Sequence, residues 1–135
     1  AEETTKARAL IDEKIADATS TIPFAKAQTF VGCAGTFTTL SALAQGLDSY
    51  DPERIHMSEI PFDRLREVTA DLRGKTAEQR RENPVVHPGR ADVIGSGSTV
   101  VEQLMDAFER EAGATSFIIS EKDILDGIVS GLAER

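Results

Sequence analysis

Apolar residues recur along most of this chain at the three- and four-residue spacing of an amphipathic helix. The first helix is expected to end before Pro23, because the residue that precedes a proline avoids the α region. Thr76 and Gln79 have the spacing of a capping box, and Gly113 is placed to end the longest helix. The predicted helices cover residues 3–19, 37–47, 62–74, 76–83, 94–112 and 124–132.

Two short apolar runs, Gln28–Cys33 and Thr115–Ile119, are typical of buried strands. Each run is followed by a helical period, and residues 54–60 alternate loosely enough to be extended as well. This order predicts an α/β fold that is mainly helical, with a small parallel sheet joined by helical crossovers. A parallel sheet needs cover on both faces, so a two-stranded sheet indicates most of a domain rather than a whole one.

Two glycines, Gly95 and Gly97, fall within the longest predicted helix. A glycine inside a helix costs about 1 kcal/mol relative to alanine. We therefore expect another helix or a ligand to approach closely at this point.

The composition excludes several classes of protein. The 135 residues include 15 Lys and Arg against 23 Asp and Glu, a net charge of −8, and 40% are hydrophobic. The length and the apolar content suit one globular domain, and the acidic balance argues against a sequence-independent nucleic-acid binder. No membrane-length apolar run and no secretory signal pattern is visible, so the cytoplasm is the expected compartment. The single cysteine, Cys33, excludes an internal disulfide.

The basic residues are concentrated in one segment. Residues 64–90 hold seven basic and four acidic residues, a local charge of +3 in an acidic chain. Such a segment either faces an anionic ligand or forms an exposed helix surface of mixed charge.

The loop from Gly32 to Thr36 is the strongest local signal for chemistry. Because it leads from a strand into a helix, its backbone N–H groups and the helix dipole suit an anion, although a tight turn without a ligand has the same pattern. Cys33 is expected to be a small buried residue. His56 and His87 are expected to be structural or exposed. The carboxylates spaced along helices 94–112 and 124–132 are expected to lie on exposed faces rather than to bind a metal.

Four segments of the chain, in order, resemble the exopolyphosphatase and guanosine pentaphosphate phosphohydrolase (Ppx/GppA) family. The P-G-R-A-D-V-I motif, followed by a glycine-containing helix, is the most distinctive of them. The four segments are Phe30–Leu40, Tyr50–His56, Pro88–Ile94 and Ser120–Gly131.

The resemblance implies a fold of the actin, Hsp70 and sugar-kinase type, in which two ribonuclease H-like domains enclose the active site. Residues 1–135 would be a single domain, the C-terminal part of a larger two-domain protein. The family's catalytic glutamate and its Asp-x-Gly-Gly-Gly-Ser loop do not occur in this sequence. The chain by itself is therefore expected to be inactive.

The resemblance also implies the function. The parent protein would release the terminal phosphate of inorganic polyphosphate or pppGpp with Mg²⁺, and in this chain Gly32, Gly35, Thr36 and Arg90 would hold phosphate. Asp92 is expected to be structural. The expected partners are the substrate, the missing first domain and a further copy of the chain, with no nucleic acid polymer and no membrane. Two alternatives stay open: a non-catalytic anion- or nucleotide-binding or dimerisation module, and half of a kinase or chaperone ATPase.

Overall fold

The structure, a computed structural model, describes residues 2–134. Within that range, the two longest helices have about twenty residues each, and the rest of the fold consists of a short sheet and several smaller helices. The helices are α1 (Glu2–Thr21), α2 (Ala34–Ala44), α3 (Pro52–Ile55), α4 (Phe62–Gly74), α5 (Ala77–Arg81), α6 (Ile94–Ala112) and α7 (Ile124–Ala133). The strands are β1 (Val31–Cys33), β2 (Glu59–Pro61) and β3 (Ser116–Ser120).

The sheet has the strand order β1-β3-β2. β1 and β3 are parallel, with Gly32 opposite Ile119, which confirms the predicted parallel pair. β2 lies antiparallel to β3 on the other side and makes the sheet mixed. The sequence shows this third strand only weakly, because it is three residues long. Pro61 ends β2 and is the N-cap of α4.

The core lies on one face of the sheet, where α2, α4 and α6 pack. Phe117 of β3 is 1% exposed, and its ring centroid lies 5.0 Å from that of Phe37 and 5.0 Å from that of Phe62. On the opposite face, Val31 and Ile118 remain partly or largely exposed. Helices therefore cover one face of this sheet within residues 2–134, whereas sheets with parallel strands usually have cover on both.

The helix ends follow their local sequence closely. Thr76 and Gln79 form the predicted capping box at the start of α5, and Gly113 ends α6 with a left-handed φ of 64°. The start of α7 is also capped by a side chain. Asp123 is the N-cap and forms a capping box with Asp126.

α1 is attached to α6 largely by polar contacts. Arg8 donates to the side chains of Glu102 and Gln103, and Arg73 Nε donates to Glu102 Oε1 at 2.9 Å. Glu102 is 8% exposed, so the expectation of an exposed carboxylate is wrong at this position. The carboxylate is buried because two arginines neutralise it, which is the usual condition for burying a charge.

α7 contributes no buried residue to the core. Its apolar side chains, each more than half exposed, are Ile124, Leu125, Ile128, Val129 and Leu132. Despite this apolar surface, no helix among the described residues is both long enough and apolar enough to cross a membrane.

Candidate functional site

The two parallel strands end at the same edge of the sheet. Cys33, the last residue of β1, lies opposite Ser120, the last residue of β3, and α2 begins immediately after Cys33. In open α/β sheets, ligands bind at the carboxyl ends of the parallel strands. This edge is therefore the place where a ligand site is expected.

The first turn of α2 presents backbone N–H groups at this edge. Cys33 is its N-cap, but the Cys33 side chain makes no capping hydrogen bond. The N–H groups at the start of a helix have no partner within the helix, and the helix dipole gives them a partial positive charge. Ala34 has a φ of 69°, which is uncommon for a residue other than glycine and typical of strained functional turns.

Arg90 lies directly against this first turn. A Cβ added to Gly35 would lie 1.8 Å from Nη1 of Arg90, so the guanidinium occupies the space that a side chain at Gly35 would fill. Within residues 2–134 the Arg90 side chain forms neither an ion pair nor a hydrogen bond. Asp92, the nearest candidate partner in sequence, accepts from Arg81 Nη2 at 2.9 and 3.0 Å instead. This pairing agrees with the structural role expected for Asp92.

Arg90 belongs to a 3₁₀ turn, Pro88–Arg90, and α6 begins only at Ile94. Its charge therefore does not stand in the first turn of α6, where it would oppose the helix dipole. The Arg90 guanidinium faces α2 rather than α6, the helix that follows it along the chain.

The other basic residues of segment 64–90 are satisfied within the chain. Arg66 Nη2 donates to both Asp106 and Glu109, and Arg80 donates to two backbone carbonyl oxygens. Most of the segment is therefore an exposed surface of mixed charge, and within residues 2–134 Arg90 is its one basic residue whose side chain has no hydrogen bond or ion pair. The remaining ion pairs are Arg64–Glu67, Arg73–Glu102, Lys75–Asp71 and Arg81–Asp92.

The two glycines of α6 are explained by neighbouring side chains. A Cβ on Gly97 would lie 2.7 Å from Oγ1 of Thr36, and a Cβ on Gly95 would lie 2.6 Å from Nη2 of Arg80. The expectation of a close approach is confirmed. At Gly97 the neighbour is a side chain of α2, and at Gly95 it is a side chain of α5.

Gly32 has a different place from the other three predicted phosphate ligands. Gly35, Thr36 and Arg90 meet at the first turn of α2, whereas Gly32 is buried in the middle of β1. A Cβ on Gly32 would lie 2.2 Å from Cδ1 of Phe37, so the glycine lets that ring pack under the turn.

A second polar group lies beside Arg90, and the sequence pattern gave no signal for it. The Tyr50 hydroxyl donates to Glu121 Oε1 at 2.5 Å, and the Glu121 backbone N–H donates to His56 Nδ1 at 3.2 Å. Burial raises the pKa of Tyr50, and the bond to Glu121 raises it further. The Thr38 hydroxyl and the positive charge of Arg90 act in the opposite direction.

The histidines have the structural roles that the sequence favours: His56 accepts from Glu121, and His87 Nδ1 accepts from the Gly89 N–H at 3.1 Å.

Cys33 is exposed, so the expectation that it is buried is wrong. It ends an edge strand with its side chain on the uncovered face. No group of three or more His, Cys, Asp or Glu side chains within residues 2–134 is arranged to hold a metal ion.

Comparison with known proteins agrees with this picture. Residues 1–131 match the model of the Ppx/GppA phosphatase family. The chain is 48% identical over 132 residues to exopolyphosphatase 2 of Mycobacterium tuberculosis. That match covers 98% of this chain and 41% of the relative, so the chain spans less than half of the relative's length.

Solved structures show the same fold. The chain superimposes on an exopolyphosphatase-like protein with a TM-score of 0.95 at 34% identity, covering 99% of this chain and 44% of the other. The Ppx/GppA protein of Aquifex aeolicus matches with a TM-score of 0.81 at 23% identity, covering 98% of this chain and 41% of the other. These neighbours have the actin-like ATPase fold, and the chain is mainly helical with a three-stranded mixed sheet.

Proposed function

Because the chain belongs to the Ppx/GppA phosphatase family, we propose that it is the C-terminal domain of a two-domain phosphohydrolase. The whole protein, which we call the full-length protein, releases terminal phosphate from inorganic polyphosphate or pppGpp. Exopolyphosphatase 2 of Mycobacterium tuberculosis, of which this chain matches 41%, supports polyphosphate as the substrate.

One observation carries the proposal: the unpaired guanidinium of Arg90 lies against Gly35 in the first turn of α2, where the N–H groups have no partner within the helix. An arginine without a partner beside a helix N-terminus repels the dipole, so an anion between them stabilises both. A phosphate group suits this place because a guanidinium can donate two parallel hydrogen bonds to its oxygens.

In this proposal each residue of the site has a defined part. The N–H groups of Gly35 and Thr36 donate to one phosphate oxygen, and Arg90 donates to two others. The Thr36 hydroxyl, held against Gly97, adds a donor at the edge of the site. Gly32 keeps the turn close to Phe37. Together these groups neutralise the charge of the phosphate chain, which is most of what a protein contributes to phosphoryl transfer.

The Mg²⁺ in this proposal is held mainly by the substrate and by parts of the full-length protein outside this chain. The described residues do not fit a metal site of their own, because they contain no cluster of three metal-ligating side chains. The proposed role of this chain is to bind and orient phosphate.

Two surfaces support the two-domain arrangement. One face of the sheet lacks a helical layer, and β1 is an edge strand whose outer hydrogen-bonding groups are available to a further strand. α7 presents a continuous apolar face of the kind that marks an interface. We propose that the remainder of the full-length protein covers these surfaces, and that the protein works in the cytoplasm as a homo-oligomer.

The test is to measure phosphate release by the full-length protein from polyphosphate and from pppGpp, with Mg²⁺, and to repeat the assay with the isolated chain. We expect release by the full-length protein and none by the isolated chain, because water activation needs a base from elsewhere. Binding of inorganic tripolyphosphate without turnover by the full-length protein would instead identify a non-catalytic anion-binding module. Turnover by the isolated chain at the full-length rate would contradict the division of roles.

A further inference from the structure

Arg80 of α5 joins three separate parts of the chain. Its Nε donates to the Leu72 carbonyl oxygen at 2.7 Å, near the end of α4, and its Nη1 donates to the Ala91 carbonyl oxygen at 3.1 Å. The guanidinium lies against the first turn of α6, where a Cβ on Gly95 would come within 2.6 Å of Nη2. Arg80 is partly buried and forms no ion pair within residues 2–134.

The Ala91 carbonyl belongs to the residue that directly follows Arg90. Ala91 is fully buried, and the backbone around it is closed by two further bonds. The Arg90 N–H donates to the His87 carbonyl at 2.8 Å, and the Val93 N–H donates to the Arg90 carbonyl at 3.0 Å. A donor on the Ala91 carbonyl therefore fixes the position of the turn from which the Arg90 side chain extends.

Arg81, the next residue of α5, also reaches this segment through its bond to Asp92. Both partners of that ion pair are substantially exposed, at 43% and 64% of their side-chain areas, so it contributes little. The partly buried bonds of Arg80 carry most of the attachment between α5 and the turn.

We propose that Arg80 is a positioning residue for phosphate binding: it holds the turn so that the guanidinium of Arg90 stays over Gly35. This inference rests on the proposed function, in which Arg90 contacts phosphate. The role needs arginine rather than lysine, because only the planar guanidinium donates in two fixed directions, to Leu72 and to Ala91. It also explains why α6 keeps a glycine in its first turn despite the cost to the helix.

The most informative variant is Gly95→Ala. Alanine favours the helix, but its methyl group also disturbs the bonds from Arg80 to Leu72 and Ala91, so a merely structural role predicts a lowered or unchanged Tm with an unchanged KM. If Arg80 positions Arg90, the added methyl group displaces the guanidinium from Ala91 and frees the turn. We expect KM for polyphosphate of the full-length protein to rise about tenfold at a temperature where the variant is fully folded, since a misplacement of about 1 Å can cost up to about a hundredfold. Arg80→Lys should raise KM similarly.

Two matched controls separate this effect from a general disturbance. Gly74→Ala adds a methyl group to a helical glycine where it meets nothing within 4 Å. Arg64→Lys alters another guanidinium that donates to a backbone carbonyl, that of Ala44 at the opposite end of α2. Both controls should leave KM unchanged.

The double variant of Gly95→Ala with Arg90→Lys provides the final discrimination. If Arg80 acts through Arg90, Gly95→Ala should raise KM little further once Arg90 is lysine, because the two changes affect one contact. Additive effects, or an unchanged KM in both Gly95→Ala and Arg80→Lys, would overturn the inference. An unchanged KM in Arg90→Lys alone would instead overturn the phosphate site of the proposed function.

Discussion

The guanidinium of Arg90 occupies the space that a side chain on Gly35 would need, with Nη1 only 1.8 Å from the position of an added Cβ. The glycine in the first turn of α2 is therefore explained by the arginine beside it. From the sequence, Gly35 is expected to admit a phosphate group to the backbone. In the structure the space beside Gly35 is filled by the guanidinium of Arg90, the cation that we propose to bind that phosphate.

Replacing Gly35 by alanine tests this relationship. The alanine methyl group would displace the Arg90 guanidinium, while alanine is well tolerated in a helix, so binding should suffer and folding should not. We expect the affinity of the chain for inorganic tripolyphosphate, measured by titration calorimetry, to fall about tenfold with little change in Tm. Comparable losses of affinity and Tm would instead assign Gly35 to the tight turn alone.

Arg90→Lys keeps the charge but loses the planar pair of donors. Losing a charged hydrogen bond costs about 1.5–3 kcal/mol, so we expect kcat/KM of the full-length protein to fall by at least about tenfold. Arg90→Ala should be at least as damaging, and Tm should change little because Arg90 has no partner among residues 2–134. Wild-type efficiency in both variants would remove Arg90 from the substrate site.

The exposed face of α7 predicts that the isolated chain associates. Ile128 is 53% exposed within a face of five such residues, and β1 offers an open sheet edge. We expect light scattering to show dimers or larger species that Ile128→Glu reduces, whereas Val100→Glu, at an exposed apolar residue of α6, leaves them unchanged. A cooperative monomer for the unmodified chain would contradict this prediction.

Tyr50 reports on the charge of Arg90. It is the chain's one tyrosine and there is no tryptophan, so ultraviolet absorbance follows its ionisation alone. Burial and the bond to Glu121 raise the pKa of Tyr50, and Arg90 lowers it. We expect an apparent pKa above the ordinary value of about 10. Glu121→Gln should lower this pKa, and Arg90→Ala should raise it further.

The same shift has a consequence for stability. Because the pKa of Tyr50 is raised in the folded state, its contribution to stability is fully present below the unfolded pKa of about 10. That contribution is lost as the pH rises through the higher folded value. Tyr50→Phe should therefore differ from the wild type most in Tm at neutral pH, and the difference should narrow in the alkaline range. A constant difference in Tm at every pH would show that the hydroxyl is not coupled to Glu121.

The local structure of this chain follows from its sequence pattern. The helix periods, the capping box at Thr76 and the left-handed end at Gly113 all appear where the pattern predicts them. So does the parallel pair of strands on either side of the crossover helices. These features depend on residues that are close along the chain, where backbone geometry and side-chain spacing decide the outcome. The motifs also led to the family, which the comparison confirms.

Which of the candidate residues meet depends instead on how distant elements pack together. Tyr50 and Glu121 are 71 positions apart, and no pattern in the sequence joins them. The basic segment 64–90 allows either an anion-facing surface or an exposed surface of mixed charge, and helix packing decides between them by placing carboxylates beside most of its arginines and leaving Arg90 unpaired. The carboxylates that pair with several of these arginines lie on other elements, so the sequence around each arginine does not reveal its partner. The packing of α2, α5 and α6 around one turn determines where Arg90 points.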